Sequence, residues 1–353
     1  MTRFKLIITA LLIPLLIPIA GIYRIIINIR NRLYDTGFRK QVFCGVPVIS
    51  VGNITLGGTG KTPLVIELAN WLTRLGYSPG IISRGYKRSS RGQQIVKNRT
   101  EILQPSLVAG DEPFLMATKT DRVVIIVDAD RVAAAATAVN RFGCDILIAD
   151  DAFQHRRLGR NLDIVLWDID LNPNRCRLLP AGRLREPLQS LQRADILFIS
   201  RTDKIPDEYY STLQKVHHAL FMAPLSRHIR HIRSLSDNTE YPQDQLTGVA
   251  VLAFCGLGNP NQFFNMITLL TGVPPVQKTF PDHYRYTTRD IQLLTQQADQ
   301  SGCRFLVTTR KDAVNLPASA NSLANLLVID IEYIIDEKSK AAILHKLPPK
   351  QLH

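Results

Sequence analysis

The sequence predicts an α/β protein: a parallel sheet with helices on both faces, a smaller second α/β domain, and an apolar N-terminal helix. Three observations lead there. Short apolar runs alternate with helical periodicity along most of the chain. An early valine-rich run passes straight into a glycine-dense turn that opens a helix. The length, 353 residues, exceeds what one core usually fills.

The first forty residues differ from the rest. From Leu6 to Tyr23 the chain is almost wholly apolar, broken only by Thr9, Pro14, Pro18 and Gly21. Ile25, Ile26, Ile27 and Ile29 follow, amid the basic residues Arg24, Arg30, Arg32, Arg39 and Lys40. A run of about eighteen apolar residues only just spans a bilayer, and two prolines weaken a straight helix. Segment 1–40 therefore reads as a membrane anchor, either spanning or lying in the interface. The alternative is a hydrophobic helix docked on the body of the protein. Basic charge on the protein side favours the cytoplasmic face, and no small-x-small cleavage site marks a removable signal.

Residues 46–63 carry the strongest chemical signal. The run Val46-Pro-Val-Ile-Ser-Val-Gly52 is a strand, and 64–72 place Leu64, Val65, Leu68, Ala69 and Leu72 on one helical face. Between them, Gly57, Gly58 and Gly60 allow backbone N–H groups to turn inward around a polyphosphate, with Thr55 and Thr59 completing the loop. Lys61 reaches the β- and γ-phosphates, and the Thr62 hydroxyl can hold Mg²⁺. Thr55 stands where the strict phosphate-loop pattern has glycine.

Further strands are expected at 80–83, 123–127, 145–149, 162–167 and 194–200, with an alanine-rich helix over 131–141. These complete a phosphate-loop domain over 41–225. Residues 226–247 are looser and more polar and read as a linker. Sheet-like runs resume at 248–254, 305–309 and 326–330, a second domain over 248–353.

Asp150 and Asp151 end one expected strand, where phosphate-loop enzymes place the group that manages Mg²⁺. Two adjacent acids there repel unless a cation or donors lie between them. His155 follows in the same polar cluster. Asp111, in Gly110-Asp-Glu-Pro113, reads by itself as a helix N-cap, and His283 as a loop histidine. Arg84 with Tyr86, Arg131, and Arg183 with Arg185 lie in arginine-bearing segments near strand ends, suited to an anionic substrate.

The net charge of +13 asks for an acidic partner such as nucleic acid, an anionic membrane or a phosphorylated substrate. No recognition-helix signature or interleaved aromatic pattern supports nucleic acid. Cys44, Cys144, Cys176, Cys255 and Cys303 are scattered without a C-x-x-C pair, which suits reduced thiols and not a zinc or disulfide framework.

Taken in order, these segments resemble the tetraacyldisaccharide 4′-kinases, the lipid A 4′-kinases of Gram-negative bacteria, over nearly the whole chain. The likeness rests on Ser50-Val-Gly-Asn53, Gly57-Gly-Thr-Gly-Lys-Thr-Pro63, Ser83-Arg-Gly-Tyr86, Gly110-Asp-Glu-Pro113 and Asp150-Asp-Ala-Phe-Gln-His155. It continues through Leu179-Pro-Ala-Gly182, Arg185-Glu186, Gly256-Leu-Gly-Asn-Pro260, Phe280-Pro-Asp-His-Tyr284 and Thr308-Thr-Arg-Lys-Asp-Ala313. Ala152 replaces a usual glycine, and Arg310 a frequent glutamate.

The resemblance implies transfer of the ATP γ-phosphate to the 4′-hydroxyl of tetraacyldisaccharide 1-phosphate, forming lipid IVA, with Mg²⁺ required. It also implies a membrane-associated enzyme at the cytoplasmic face of the inner membrane, acting on an acylated lipid without an obligate protein partner. Asp111 becomes the expected general base, His283 its orienting partner from the second domain, and Lys61 the γ-phosphoryl ligand. Thr62 with Asp150 or Asp151 would hold the metal. Arg84, Tyr86, Arg131, His155, Arg183 and Arg185 are second-rank candidates for substrate contacts. A rival reading, a membrane-associated phosphate-loop switch ATPase, would need neither Asp111 nor His283.

Overall fold

A computed structural model of the protein describes residues 3–282 and 284–349, with side chains in the first helix from residue 14 onward. Among the described residues there are two sheets. The larger comprises β1 (Val48–Gly52), β2 (Pro79–Ser83), β3 (Gln94–Arg99), β4 (Val123–Val127), β5 (Ile146–Asp150), β6 (Leu162–Asp168), β7 (Ile196–Ser200) and β8 (Phe221–Leu225). Their order is β3-β4-β2-β5-β1-β6-β7-β8, all parallel except the edge strand β3. Every residue of β1, β2, β4, β5, β6 and β7 is buried. Helices cover both faces of a parallel sheet, so its strands read as unbroken apolar runs.

The helix after the phosphate loop, α2 (Lys61–Arg74), buries Leu64, Val65, Leu68, Ala69 and Leu72 as its periodicity requires. The alanine-rich helix forms over Arg131–Phe142, capped by the Asp130 carboxylate and closed by Gly143 in the left-handed region.

The smaller sheet contains β9 (Arg227–Ser234), β10 (Val251–Cys255), β11 (Val276–Thr279), β12 (Phe305–Thr309) and β13 (Leu326–Tyr333), in the order β11-β10-β12-β13-β9. Residues 226–247, expected to link two domains, thus supply an edge strand, antiparallel to β13. A bulge hid it. Ile229 and Ile232 pair with Ile331 and Ile329 and pack toward the same core, although they are three residues apart. The extra residue, Arg230, breaks the two-residue alternation by which a strand is read. The expected second domain, 248–353, also ends early. The helix Glu337–Lys346 returns to the large sheet, and Ile335, Ile343 and Leu347 pack in one cluster with Ile49 and Leu64.

The N-terminal helix α1 (Arg3–Asp35) runs through Pro14 and Pro18. Ile27 and Asn31 are buried, while Leu15, Ile19, Ile22, Ile26 and Ile29 form an exposed apolar stripe. Among the described residues, no helix is long and apolar enough to cross a membrane. The five cysteines are unpaired, and Cys144, Cys255 and Cys303 are buried.

Candidate active site

A cleft of about 970 Å³ opens between the two sheets. The phosphate loop, Arg84, Tyr86, Arg131, Asp150, Asp151, His155 and Arg185 line it from the first sheet's side. Arg227, Arg230, Asp282 and Arg310 face them from the second. This is where ligands gather in open parallel sheets, beyond the carboxyl ends of the strands.

The loop itself depends on two glycines in the left-handed region, Gly57 at φ 110° and Gly60 at φ 91°. A Cβ on Gly60 would lie 2.0 Å from the Tyr333 hydroxyl, so the second sheet's last strand closes directly against the loop. Thr59 accepts a hydrogen bond from Asn53 Nδ2 at 3.1 Å. Gly60 caps α2 without a side-chain bond, leaving the helix's first amides and positive end for an anion.

Lys61 Nζ lies 3.3 Å from Asp151 Oδ1, and Arg185 donates to both Asp151 oxygens at 3.1 Å. Burial would raise the Asp151 carboxyl, but Lys61 and Arg185 outweigh it and hold the group below the usual carboxylate range. Asp151 also takes φ 47°, an uncommon backbone state for a residue with a Cβ.

Asp150 is the opposite case. It is 2% exposed; Ser83 donates to Oδ2 at 2.9 Å, and Oδ1 is buried with no hydrogen-bond partner among the described residues. Burial, reinforced by the charges of Glu112 and Asp151, pushes its carboxyl up to about 7 against the pull of Lys61. A carboxylate so placed is suited to a cation. An oxygen pair from Asp150 and Thr62 is the hard donor set that Mg²⁺ takes, usually with one or two carboxylates and phosphate oxygens.

Arg131 is buried and donates to the carbonyls of Asp128 at 2.9 Å and Asp150 at 3.4 Å, so it braces the end of β5. Burial and the nearby Arg131 and Arg160 push His155 down to about 4. Its imidazole is therefore neutral at physiological pH, with Nε2 buried and without a partner among the described residues.

Asp111 opens the helix Asp111–Lys119, but Gly110 occupies the cap position and makes no side-chain cap bond. Asp111 is buried and not part of the cleft lining; its carboxylate is engaged from the second lobe, where Asn315 Nδ2 donates to Oδ2 at 3.0 Å. The next residue, Glu112, lines the cleft. His283 lies outside the described residues. Its neighbour Asp282 lines the cleft and pairs with Lys311 at 3.1 Å.

Thr55 and Arg183 stand apart from the cleft lining. Thr55 is fully buried, and Arg183 donates to the Leu56 carbonyl at 3.0 Å behind the loop. Sequence reasoning missed Ser83, Glu112, Arg201, Asn315 and Tyr333. Arg201 donates to the Gly58 carbonyl and pairs with Asp168. Ser83 ends β2 and Arg201 follows β7, so the strand-end rule applied to Asp150 would have found both. Nothing in the sequence links Asn315 or Tyr333 to residues more than two hundred positions away.

A phosphate loop opening a helix, acids at the end of a neighbouring parallel strand and a basic wall across the cleft define a phosphate-loop phosphotransferase. The model of the family described as tetraacyldisaccharide-1-P 4′-kinase, LpxK, matches residues 12–348. The chain belongs to this family of ATP-dependent lipid A kinases. It is 38% identical to the tetraacyldisaccharide 4′-kinase of Anaeromyxobacter sp. (strain Fw109-5), over 88% of this chain and 84% of that protein. The enzyme of the same name from Syntrophus aciditrophicus (strain SB) is 37% identical over 83% and 82%. Among solved structures it is similar to LpxK from Aquifex aeolicus in complex with ATP. That likeness has a TM-score of 0.72 and 32% identity, covering 97% of this chain and all of the other.

Proposed function

We propose that this enzyme transfers the ATP γ-phosphate to the 4′-hydroxyl of tetraacyldisaccharide 1-phosphate at the cytoplasmic face of the inner membrane. The observation that carries the reading is the pairing of Asp150, buried with an unpartnered oxygen, with the Lys61–Asp151–Arg185 cluster at the mouth of the phosphate loop.

Phosphoryl transfer asks the protein for positioning and charge stabilisation more than for covalent chemistry. Thr62 with Asp150 or Asp151 would hold Mg²⁺, which neutralises charge on the phosphate oxygens when bound. Lys61 is aimed by its contact with Asp151, ready to exchange that partner for a γ-phosphate oxygen. The loop amides ahead of α2 add fixed partial positive charge.

Asp111 accepts the 4′-hydroxyl proton as the sugar oxygen bonds to phosphorus and ADP departs with the bridging oxygen. Asn315, from the second lobe, donates a hydrogen bond to that carboxylate. Arg84, Tyr86, Arg131, His155 and Arg185 would contact the anionic substrate, with neutral His155 acting as a hydrogen-bonding group. The acylated part of the substrate suits the apolar stripe of α1, which lies against a bilayer beside basic Arg24 and Arg32.

The test is purified enzyme with Mg²⁺, γ-labelled ATP and tetraacyldisaccharide 1-phosphate in detergent. Labelled lipid is expected, with a loss above ~100-fold in Asp111→Ala. ATP hydrolysis without labelled lipid, insensitive to Asp111→Ala, would mean a switch ATPase instead.

A further inference from the structure

The polar face of α1 does more than an attachment to a bilayer needs. Membrane binding requires only an apolar face and basic residues. Yet Tyr23 donates its hydroxyl proton to the Arg185 carbonyl at 2.8 Å. Arg30 reaches Glu186 Oε1 at 3.1 Å, Asn31 Nδ2 reaches Oε2 at 3.0 Å, and Arg193 reaches Oε2 at 2.9 Å. Glu186 is fully buried. From the other side, Arg156 fixes the end of α1, donating to the Asn31 carbonyl at 2.9 Å and to Asp35 at 2.7 Å. A buried carboxylate with this many charged partners adds little net stability and is better suited to fixing one geometry.

What it fixes is the chain just before it. The Arg185 amide donates to the Ile54 carbonyl at 2.7 Å, and the Leu56 amide to the Arg183 carbonyl at 2.7 Å. Thr55 and Leu184 form an antiparallel bridge between those bonds. Residues 183–185 therefore run as a short strand alongside the entrance to the phosphate loop. The Arg185 guanidinium also holds Asp151, the partner of Lys61. Tyr23, Ile27 and Arg30 themselves line the cleft.

We propose that α1 is a brace for the phosphate loop: its polar face clamps Arg185 and Glu186, and through them sets the loop entrance and the Asp151–Lys61 pair. Tyr23 and Asn31 are positioning residues that act through Arg185 and Glu186. The idea rests on reading Lys61 and Asp151 as the phosphate-handling pair.

Full-length Asn31→Leu and Tyr23→Phe enzymes distinguish a brace from a tether. Three measurements are made on each: kcat and KM with detergent-dispersed tetraacyldisaccharide 1-phosphate, sedimentation with phosphatidylglycerol–phosphatidylethanolamine vesicles, and hydrogen exchange of amides 54–56 and 183–186. The brace predicts a kcat loss of about 5- to 50-fold with lipid KM and vesicle binding within about 3-fold, because small displacements of positioning groups cost rate. It also predicts faster exchange at Leu56 and Arg185, whose amides close the bridge. Unchanged kcat and exchange, with any loss confined to vesicle binding, would overturn it. Tyr23→Phe removes a single oxygen and keeps the brace testable even where Asn31→Leu does not fold. If the wild type labels no lipid, the substrate assignment fails, while the exchange measurement still decides the brace.

Discussion

Two buried aspartates, one at each sheet, have opposite surroundings. Asp312, just beyond β12, is 3% exposed and uses both oxygens. Its Oδ1 accepts from the Gly256 amide at 2.7 Å and the Tyr286 hydroxyl at 2.9 Å, and its Oδ2 from the Thr309 hydroxyl at 2.6 Å. Asp150, at the end of β5, has one oxygen satisfied by Ser83 and the other by nothing among the described residues. Burial raises both carboxyls above the ordinary range. Asp312 ties three segments of the second lobe together, while Asp150 keeps a binding direction open toward the cleft. Equal burial at the end of a strand therefore does not make equal roles; the satisfaction of the second oxygen separates them.

Exchanging each acid tests that contrast most strongly. Asp150→Asn should lower kcat about 10³-fold, some 4 kcal/mol of transition-state stabilisation. Its melting temperature should hold or rise, because a neutral amide no longer opposes Glu112 and Asp151. Asp312→Ala should instead lower unfolding free energy by about 3–5 kcal/mol, read by urea denaturation, since it strands three buried donors. Comparable destabilisation by both variants would break the comparison.

A smaller effect sharpens the link between the lobes. Asn315→Ala should reduce kcat about 10-fold while nucleotide affinity, measured by titration, stays unchanged, because it removes one hydrogen bond to Asp111 and none to the phosphate loop. The smallest effect is present at neutral pH and fades in acid. Burial alone would raise Glu186, but Arg193, Asn31 and Arg30 outweigh it and hold the carboxyl below its usual value. A depressed folded value means that the stabilisation is complete above the ordinary glutamate range, about 4.3, and is lost as pH falls through the lower folded value. Thermal melts of the wild type and Glu186→Gln should therefore converge as the pH drops, with the wild type ahead at neutral pH.

Much of the first lobe was legible because its signals are local. The phosphate loop, the buried strands and the apolar face of α2 each occupy a window shorter than twenty residues, where period and turn chemistry speak directly. β9 was not legible because a bulge at Arg230 shifts its apolar residues out of alternation. The helix Glu337–Lys346 could be read as a helix, but nothing in its pattern says which sheet it covers. Asp111 illustrates the same limit inside the site. Locally it resembles a cap, and only Asn315, arriving from the other lobe, shows that its carboxylate is committed elsewhere.

By itself, the sequence determined the turn chemistry of the phosphate loop, where charged side chains stand along the chain, and the family. Each depends on residue type at short spacing, which fixes turn conformation, charge and reach without outside help. The tertiary structure decided which acid is satisfied and which is open, that Tyr333 seals Gly60, and that α1 reaches the loop through Glu186. Those are properties of distance between remote segments, set by how two sheets and one long helix pack. No periodicity within a single segment encodes them.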